Sequence, residues 1–424
     1  MIYFEQGAPD AVLTDQDIGR GLTEALRKIG PKKRVLAIPP DMTRYHSMAG
    51  RLTEMAWEYY GERLTDVLPA LGTHAAMTGE EIGKMFGAVP RSIFRVHDWR
   101  NDVVSMGEVP ASYVEAVSEG RVSYSWPAQV NRLLVEGQHD LILSIGQVVP
   151  HEVVGMANYN KNIFVGTGGT EGINKSHFLG AAYGMERIMG RAKTPVRDLL
   201  NYASDHFASE LPVVYVQTVV GRNSVGELVV RGLYIGDDDE CFIKAAKLSL
   251  EVNFQMLEQP LHKVVVYLEP EEFKSTWLGN KSIYRTRMAI ADGGELVVLA
   301  PGLKEFGEDE EIDRLIRKYG YLTTPEILKA VEENADLQEN LSAAAHLIHG
   351  STEGRFSVTY CPGHLTREEI ESVNYRYGEL EVLAARYDPL ILKEGFNTMP
   401  DGEQIYYISN PALGLWSWKE KFKS

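Results

Sequence analysis

The stretch DLILSIGQVVPHE, residues 140–152, decides the fold class. Its first half is a continuous apolar run with the length of one buried strand, and its second half carries polar side chains in a loop. Similar apolar runs recur along the chain, with helical patterns between many of them. They are RVLAI (34–38), TDVLPAL (65–71), IFRV (93–96), KVVVYLE (263–269) and ELVVLAP (295–301). Buried strands that alternate with helices predict an α/β fold with mainly parallel sheets.

Domain organisation follows from the place where that pattern pauses and restarts. Residues 250–262 precede a fresh strand, after which the order strand, helix, strand begins again. We therefore predict two α/β lobes with an active-site cleft between them. The predicted domains are residues 1–258 and residues 259–405, followed by a C-terminal tail, residues 406–424, that we expect to pack on the first domain.

Composition excludes several classes of protein. The chain of 424 residues has a formal net charge of −16, which argues against a nucleic-acid surface and a polybasic membrane anchor. Two cysteines are too few for a disulfide framework or a cysteine-rich metal site. The N-terminus lacks the pattern of a signal peptide, and no apolar run is long enough to span a bilayer. We expect a cytoplasmic protein with no nucleic-acid or membrane partner.

Polar side chains follow several of the predicted strands. Ligands of open α/β sheets bind beyond the carboxyl ends of the strands, so these side chains are the first candidates for a site. They are Asp41 and Arg44 after RVLAI, His74 after TDVLPAL, His151 after DLILSIG, and Lys274 and Lys281 after KVVVYLE. Each also has an ordinary interpretation, since Asp41 could cap a helix, Arg44 could form a surface ion pair, and a lone histidine is often a packing residue. Their shared topological position favours one common site.

A glycine-rich stretch, GTGGTEG (166–172), precedes a predicted helix that contains His177. Its backbone N–H groups could cradle a phosphate, or its glycines could serve turns with positive φ. It lacks the G-x-G-x-x-G spacing because residue 171 is Glu, and it lacks the G-K-[ST] ending of a P-loop. We expect His177 in the first turn of the helix, where the dipole favours the neutral, metal-binding imidazole.

Two further histidine patterns are weaker. HEVVG (151–155) is not the H-E-x-x-H motif of zinc proteases, because residue 155 is Gly. HLIHG, which contains His346 and His349, has a spacing that could ligate a metal, but no third ligand is evident. We predict a helix face or a turn there.

Several motifs in the same order resemble one known family. They are DMTR (41–44), GTH (72–74), the spacing H-x9-K-x15-H of His151, Lys161 and His177, and a lysine at 281 followed by Gly293–Gly294. With these motifs the chain resembles the nickel-dependent lactate racemase family, whose members use a nickel-pincer nucleotide. The resemblance covers most of the chain.

The resemblance implies a role for each matching position. Lys161 would carry the cofactor through its thioacyl group, and His177 would be the protein ligand to Ni(II) beside two sulfurs and one carbon of the cofactor. His74 and His151 would be the acid/base pair. The remaining implied roles are nucleotide or substrate contacts for Asp41, Thr43 and Arg44, room for the tethered nucleotide at Gly168 and Gly169, and a carboxylate clamp at Lys281 and Arg44. The partners would be a small 2-hydroxy acid and the enzymes that make the cofactor.

The implied activity is that of an isomerase, a racemase or epimerase of 2-hydroxy acids. Hydride transfer to the cofactor would give a 2-keto acid, and return of the hydride to the other face would invert the centre. A base on each side of the substrate suits that reaction. Met42, Ala75 and Leu278 depart from the residues that the lactate enzymes of this family carry. We therefore expect a larger hydroxy acid than lactate, such as a sugar acid.

Two other functions remain open from the sequence. A nicotinamide-dependent hydroxyacid dehydrogenase would suit the two-lobed plan and the His, Arg and Lys set, although the G-x-G-x-x-G match is poor. A non-catalytic binding protein for a nickel nucleotide or a sugar acid would need Lys161 and His177 but neither His74 nor His151. The presence of both of those histidines favours the enzyme.

Overall fold

The strand predicted from DLILSIG spans Leu141–Gln147, and every residue in it is buried. It pairs in parallel with Val35–Ile38 on one side and with Val213–Arg222 on the other. A strand that is buried on both faces has no solvent side, which explains why its sequence is continuously apolar rather than alternating. The computed structural model, which describes residues 1–223 and 226–423, confirms the predicted α/β class with mainly parallel sheets.

The chain divides into two units, residues 1–179 with 188–253, and residues 180–187 with 254 onward. The second unit thus begins at Phe254, whereas the sequence pointed to 259. The tail was expected to pack on the first domain, but its residues belong to the second unit. There, Leu415–Trp418 pairs in parallel with Phe254–Leu257. This pairing makes the tail part of the second unit rather than a separate segment.

The first unit is built on a six-stranded sheet. Its strands, in spatial order, are Ile2–Gly7, Leu228–Gly236, Val213–Arg222, Leu141–Gln147, Val35–Ile38 and Leu64–Val67. The first two pairings are antiparallel and the other three are parallel. Two small antiparallel pairs complete its strands: Val103–Val109 with Trp126–Asn131, and Pro150–His151 with Gly155–Met156.

Helices connect these strands. The α-helices of the first unit are Asp15–Ile29, Ala49–Tyr60, Gly79–Phe86, Ala111–Val117, Arg132–Glu136, Pro195–Phe207 and Asp239–Asn253, and Thr170–Tyr183 and Met185–Ile188 run across the division between the units. Short 3-10 helices span Met42–Ser47, Gly61–Arg63 and Arg91–Ile93, and a π-helical turn spans Asn162–Gly166. The helical patterns DIGRGLTEALRKIG (17–30) and RLTEMAWEYYGE (51–62) of the sequence correspond to the first two of these helices to within two residues.

The second unit has its own six-stranded sheet. Its strands, in spatial order, are Arg376–Tyr377, Ser357–Pro362, Ile290–Ala300, Leu261–Tyr267, Gln404–Ile408 and Gly395–Thr398. All pairings are parallel except the last. Its helices are Thr276–Gly279, Lys281–Tyr284, Glu310–Tyr319, Thr324–Glu333, Ala335–Glu339, Leu341–His349, Arg367–Ser372, Leu380–Arg386 and Lys419–Lys423, with a 3-10 helix at Pro411–Leu413.

The predicted strand IFRV is wrong. The chain forms the 3-10 helix Arg91–Ile93, and only Phe94 makes an isolated bridge, to Val67. The reason is exposure, because Val96 is 62% exposed and Arg95 turns outward to bind the Asp66 carboxylate at 2.8 Å. IFRV therefore has the amino-acid composition of a buried strand, but its side chains are not buried. Over the described parts of the chain, no helix is both long enough and apolar enough to cross a membrane.

Candidate active site

Asp41 and His74 come from two neighbouring parallel strands and are in direct contact. His74 Nδ1 lies 2.6 Å from Asp41 Oδ2. Asp41 is buried, while about half of the His74 side chain is exposed. Asp41 also caps the helix Met42–Ser47, since its other oxygen accepts the backbone N–H of Thr43 at 3.0 Å. Asp41 is thus both a helix cap and a partner of a candidate base.

The contact sets the protonation of both groups. Burial by itself would raise the pKa of the Asp41 carboxyl, but the hydrogen bonds and charge from His74 and Thr43 hold that pKa below its ordinary value. An ionised carboxylate only accepts hydrogen bonds, so the Nδ1 of His74 that faces it carries a proton. In the neutral ring, Nε2 then holds the lone pair, and it is the atom of His74 that can accept a proton.

The loop that carries His74 is tied to the turn that follows Lys161. The backbone N–H of Gly72 donates to the carbonyl oxygen of Gly166 at 2.8 Å. Gly72 has a φ of 57°, in the left-handed region that favours glycine. The GTH motif therefore needs its glycine for the turn, and the turn places His74 and Lys161 on segments that are bonded to each other.

His151 has the opposite arrangement of its ring. It is buried, and its Nδ1 accepts the backbone N–H of Val153 at 3.1 Å. The neutral ring therefore carries its proton on Nε2, the atom that can donate. Glu152 Oε2 lies 3.9 Å from the same Nδ1. His74 and His151 are thus prepared in complementary forms, one to accept a proton and one to give it.

Lys161 lies at the start of the π-helical turn Asn162–Gly166 and is partly buried. Burial, with added repulsion from Arg44 and Arg197, lowers the pKa of its ammonium group to about 8. In residues 1–223 and 226–423, no hydrogen bond or ion pair involves this ammonium group. A lysine that is partly deprotonated near neutral pH and not engaged by a carboxylate has the properties of a nucleophile.

His177 is neutral, but for a different reason from the one expected. Its helix begins at Thr170, so His177 lies about two turns into the helix and the prediction that it sits in the first turn is wrong. Burial lowers the pKa of the ring to about 4. Nδ1 lies 2.7 Å from the carbonyl oxygen of Ile173 and donates to it, which leaves the Nε2 lone pair available as a ligand.

Electrostatic interactions show which predicted residues share one neighbourhood. The charge on Lys161 is influenced by Arg44, Glu152 and Asp41. The His177 ring is influenced by Lys161 and Glu152. Arg44, in the motif DMTR, therefore adds positive charge beside Lys161 in a chain whose net charge is −16. Arg44 is therefore a candidate for binding an anionic ligand.

The glycines of GTGGTEG serve close packing rather than positive φ. Gly166, Gly168, Gly169 and Gly172 are absent from the glycines with positive φ. A Cβ on Gly168 would lie 1.9 Å from the carbonyl oxygen of Phe164, and one on Gly169 would lie 2.5 Å from Gln129 Oε1. The backbone N–H of Gly172 already donates to Gln129 Oε1 at 3.2 Å. The structure thus gives these glycines a packing role beneath the site.

Several residues of the site escaped the sequence analysis. His97 is buried and donates from Nε2 to the carbonyl oxygen of Gly168 at 3.0 Å, while its Nδ1 accepts from Asn131 at 3.0 Å. His46 lies two residues beyond DMTR, and burial beside Arg44 lowers the pKa of its ring to about 4. The position of His46 just after the motif could have identified it from the sequence. His97 could not be identified in this way, because its partners are distant in the chain.

In the second unit, Lys281 begins the helix Lys281–Tyr284, and its ammonium group lies 5.7 Å over the Phe273 ring. Trp277, next to Leu278, has its ring 4.6 Å from that of His346. His346 contacts the Tyr321 hydroxyl at 2.9 Å, and burial lowers its pKa to about 3. HLIHG lies in the helix Leu341–His349, so the prediction of a helix there is confirmed.

Two of the substrate-side departures lie in the first unit. Met42 packs against the hydrophobic core of that unit. Ala75, directly after His74, is exposed. Of these two positions, Ala75 is therefore the one that can face a ligand. Over the described residues, no group of three or more His, Cys, Asp or Glu side chains could hold a metal ion.

Comparisons with known proteins cover the segment that carries these residues. The family model of the lactate racemase N-terminal domain matches residues 19–187, which include Asp41, His74, His151, Lys161 and His177. A crystal structure of a Thermotoga maritima protein is 25% identical, with a TM-score of 0.81, and the match covers 98% of this chain and 100% of that one. No curated protein sequence matches significantly.

A second solved structure is the lactate racemase apoprotein from Thermoanaerobacterium thermosaccharolyticum. It is 16% identical, with a TM-score of 0.67, and the match covers 96% of this chain and 89% of that one. At this sequence identity, the similarity shows a shared fold only. Residues 19–187 match the lactate racemase N-terminal domain and the fold of the chain is shared, which confirms the resemblance that the motifs predicted.

Proposed function

We propose that the protein is a racemase or epimerase of a 2-hydroxy acid and uses a nickel-pincer nucleotide tethered to Lys161. The lactate racemase N-terminal domain and the shared fold support a racemase-type function. The observation that carries the proposal is the prepared state of His177, whose Nδ1 is engaged by Ile173 and whose Nε2 is left as a ligand. The residues present therefore fit this cofactor.

Lys161 and His177 would hold the cofactor. The lowered pKa of Lys161 supports covalent attachment, because only the neutral amine attacks a thioacyl carbon. His177 would supply a nitrogen ligand to nickel, a metal for which imidazole is a suitable ligand. When bound, the nickel-pincer nucleotide supplies a hydride acceptor and donor.

The two histidines would handle the proton. His74 Nε2 takes the proton of the substrate hydroxyl, and Asp41 stabilises the imidazolium that results. His151 Nε2–H can return a proton from its own side to the oxygen of the 2-keto acid. Reversal of the two roles converts the other enantiomer. A racemase needs such a pair, and their opposite tautomers supply it.

The substrate carboxylate would be held by Arg44. We propose a 2-hydroxy acid larger than lactate, such as a sugar acid, because Ala75 is small and exposed where the lactate enzymes carry a larger basic residue. A panel of 2-hydroxy acids tests this choice. Fast racemisation of lactate with no turnover of aldonic acids would contradict it.

Intact-mass spectrometry with nickel analysis tests the function as a whole. The protein is produced together with the enzymes that make the cofactor and compared with Lys161→Ala and with Lys175→Ala, a lysine of the same segment that pairs with Glu171. We expect an adduct and nickel in the wild type and in Lys175→Ala, and neither in Lys161→Ala. No adduct and no nickel in any of the three would overturn the proposal.

A further inference from the structure

Two residues before Lys161, the chain adopts a backbone conformation that side chains other than glycine rarely take. Asn158 and Tyr159 have φ values of 67° and 58°. Asparagine tolerates the left-handed region, but a bulky aromatic residue there is an outlier that its surroundings must enforce. Both residues are buried. The segment that carries Lys161 is therefore held in place by its neighbours rather than by its own preference.

Arg197 is the neighbour that contacts this segment most extensively. Its guanidinium donates to the carbonyl oxygen of Met156 at 2.7 Å, to that of Asn158 at 3.4 Å, and to the side-chain oxygen of Asn160. These acceptors alternate along the chain up to the residue before Lys161. A planar guanidinium can serve several acceptors at fixed angles, which a lysine ammonium cannot.

The Arg197 side chain is buried, which is unfavourable for a charged group. It is 2% exposed, and within the described residues no carboxylate pairs with it. Its guanidinium lies 4.4 Å over the Phe242 ring and 5.6 Å over that of Tyr159. A buried charge without a carboxylate is unusual unless its hydrogen bonds are needed.

The helix that carries Arg197 is clasped to the same segment. Thr194 caps this helix by accepting the backbone N–H of Arg197 at 3.1 Å, and its hydroxyl donates to the carbonyl oxygen of Val154 at 3.2 Å. From the other side, Asn160 donates to Asn201 Oδ1 at 2.8 Å and to Ser204 Oγ at 3.1 Å. The helix and the segment thus form one bonded unit.

We infer that Arg197 is a positioning residue, whose guanidinium fixes the backbone of residues 156–160 and thereby holds Lys161 in its buried, reactive place. The inference rests on the proposed function only in that Lys161 is the attachment point. Arg197 acts on the protein before any cofactor arrives, so its effect is measurable on the apoprotein. A functional Lys161 without this arginine would have a more mobile and more solvated amine.

The test follows acetylation of Lys161 by an N-hydroxysuccinimide acetate across pH in the apoprotein, read by peptide mass spectrometry. Arg231→Lys is the matched control, because Arg231 is also buried and donates to the carbonyl oxygens of Ala11 and Arg222. We expect Arg197→Lys to raise the midpoint of the Lys161 profile by about one pH unit or more. Amide exchange in residues 156–162 should rise about tenfold. Arg231→Lys should change neither.

An unchanged midpoint in Arg197→Lys, or an equal rise in Arg231→Lys, would overturn the inference. If Arg197→Lys fails to fold, Asn160→Ala decides. It removes one acceptor of Arg197 and also the hydrogen bonds to Asn201 and Ser204, so it is compared with the double variant Asn201→Ala/Ser204→Ala. A larger rise in Asn160→Ala than in the double variant supports the inference, and an equal or smaller rise contradicts it. Cofactor loading is a separate measurement. If Arg197→Lys raises the midpoint but the wild-type protein never gains an adduct, Arg197 is still a positioning residue and the proposed function is wrong.

Discussion

Two regions of the first unit differ in how they control protons. The acid/base region, Asp41, His74 and His151, comprises side chains at the ends of adjacent strands, and a carboxylate sets the state of its exposed histidine. The attachment region, Lys161 to His177, holds its lysine and its histidine towards their neutral forms by burial. Under the proposed function, the first region would exchange protons with the substrate and the second would hold the cofactor through neutral groups. Substitutions in the two regions should therefore fail in different ways.

The largest effect is expected from His177→Ala, in the attachment region. Loss of the only proposed protein ligand should release nickel and lower turnover by at least about 10⁴-fold, because the cofactor carries the chemistry. Metal analysis beside a turnover assay measures both. His206→Ala is a matched control, since His206 makes the same contact to a carbonyl four residues earlier, Tyr202, at 2.9 Å. Full nickel retention in His177→Ala would contradict the assignment.

His151→Asn should fail in the other manner. We expect turnover to drop by about 10²–10⁴-fold, the usual contribution of a general acid or base, while the adduct and nickel stay at wild-type levels. Intact mass and kcat are measured on the same sample. His139→Asn serves as the control, because His139 is buried and bonded to Asp66 at 3.0 Å. It should lower stability but not kcat per loaded molecule. Loss of the adduct in His151→Asn would show that His151 is also needed for cofactor attachment, and would contradict the distinction between the two regions.

Asp41→Asn probes the coupling inside the acid/base region. An amide no longer stabilises the His74 imidazolium, so we expect kcat to fall by roughly 10–100-fold with the cofactor retained. Because the Asp41 pKa is lowered on folding, its contribution to stability is present above its ordinary pKa and is lost as the pH falls through the folded value. Asp41→Asn should therefore lose less stability than the wild type on acidification.

The smallest effect sharpens the comparison without any loss of activity. In the wild-type apoprotein, acetylation of Lys161 should rise through about pH 8 rather than near the ordinary pKa of 10.5, because burial favours the neutral amine. Lys329, whose side chain is 70% exposed, gives an internal reference in the same digest. A Lys161 midpoint equal to that of Lys329 would show that burial does not act on this lysine.

The sequence was most informative where the signal is local. The buried strands Leu141–Gln147 and Val35–Ile38 followed from short apolar runs, and two of the residues beyond such runs, Asp41 and His74, are in contact. The prediction of a strand at IFRV was wrong because four mostly apolar residues do not show whether the segment will be buried beside another strand. The place of His177 in its helix failed because Thr170, within the glycine-rich stretch, already starts the helix.

The sequence by itself determined the α/β class, the positions of several buried strands and the identity of the polar residues that follow them. Periodicity and spacing are properties of short segments, which is why they can be read without the fold. Only the tertiary structure decided which tautomer the histidine rings adopt, why the pKa of Lys161 is lowered, and which residues contact the segment before Lys161. Those properties depend on burial and on partners that are distant in the chain. His74 contacts Asp41, which follows a neighbouring strand, and Arg197 donates from its helix to the carbonyl oxygen of Met156.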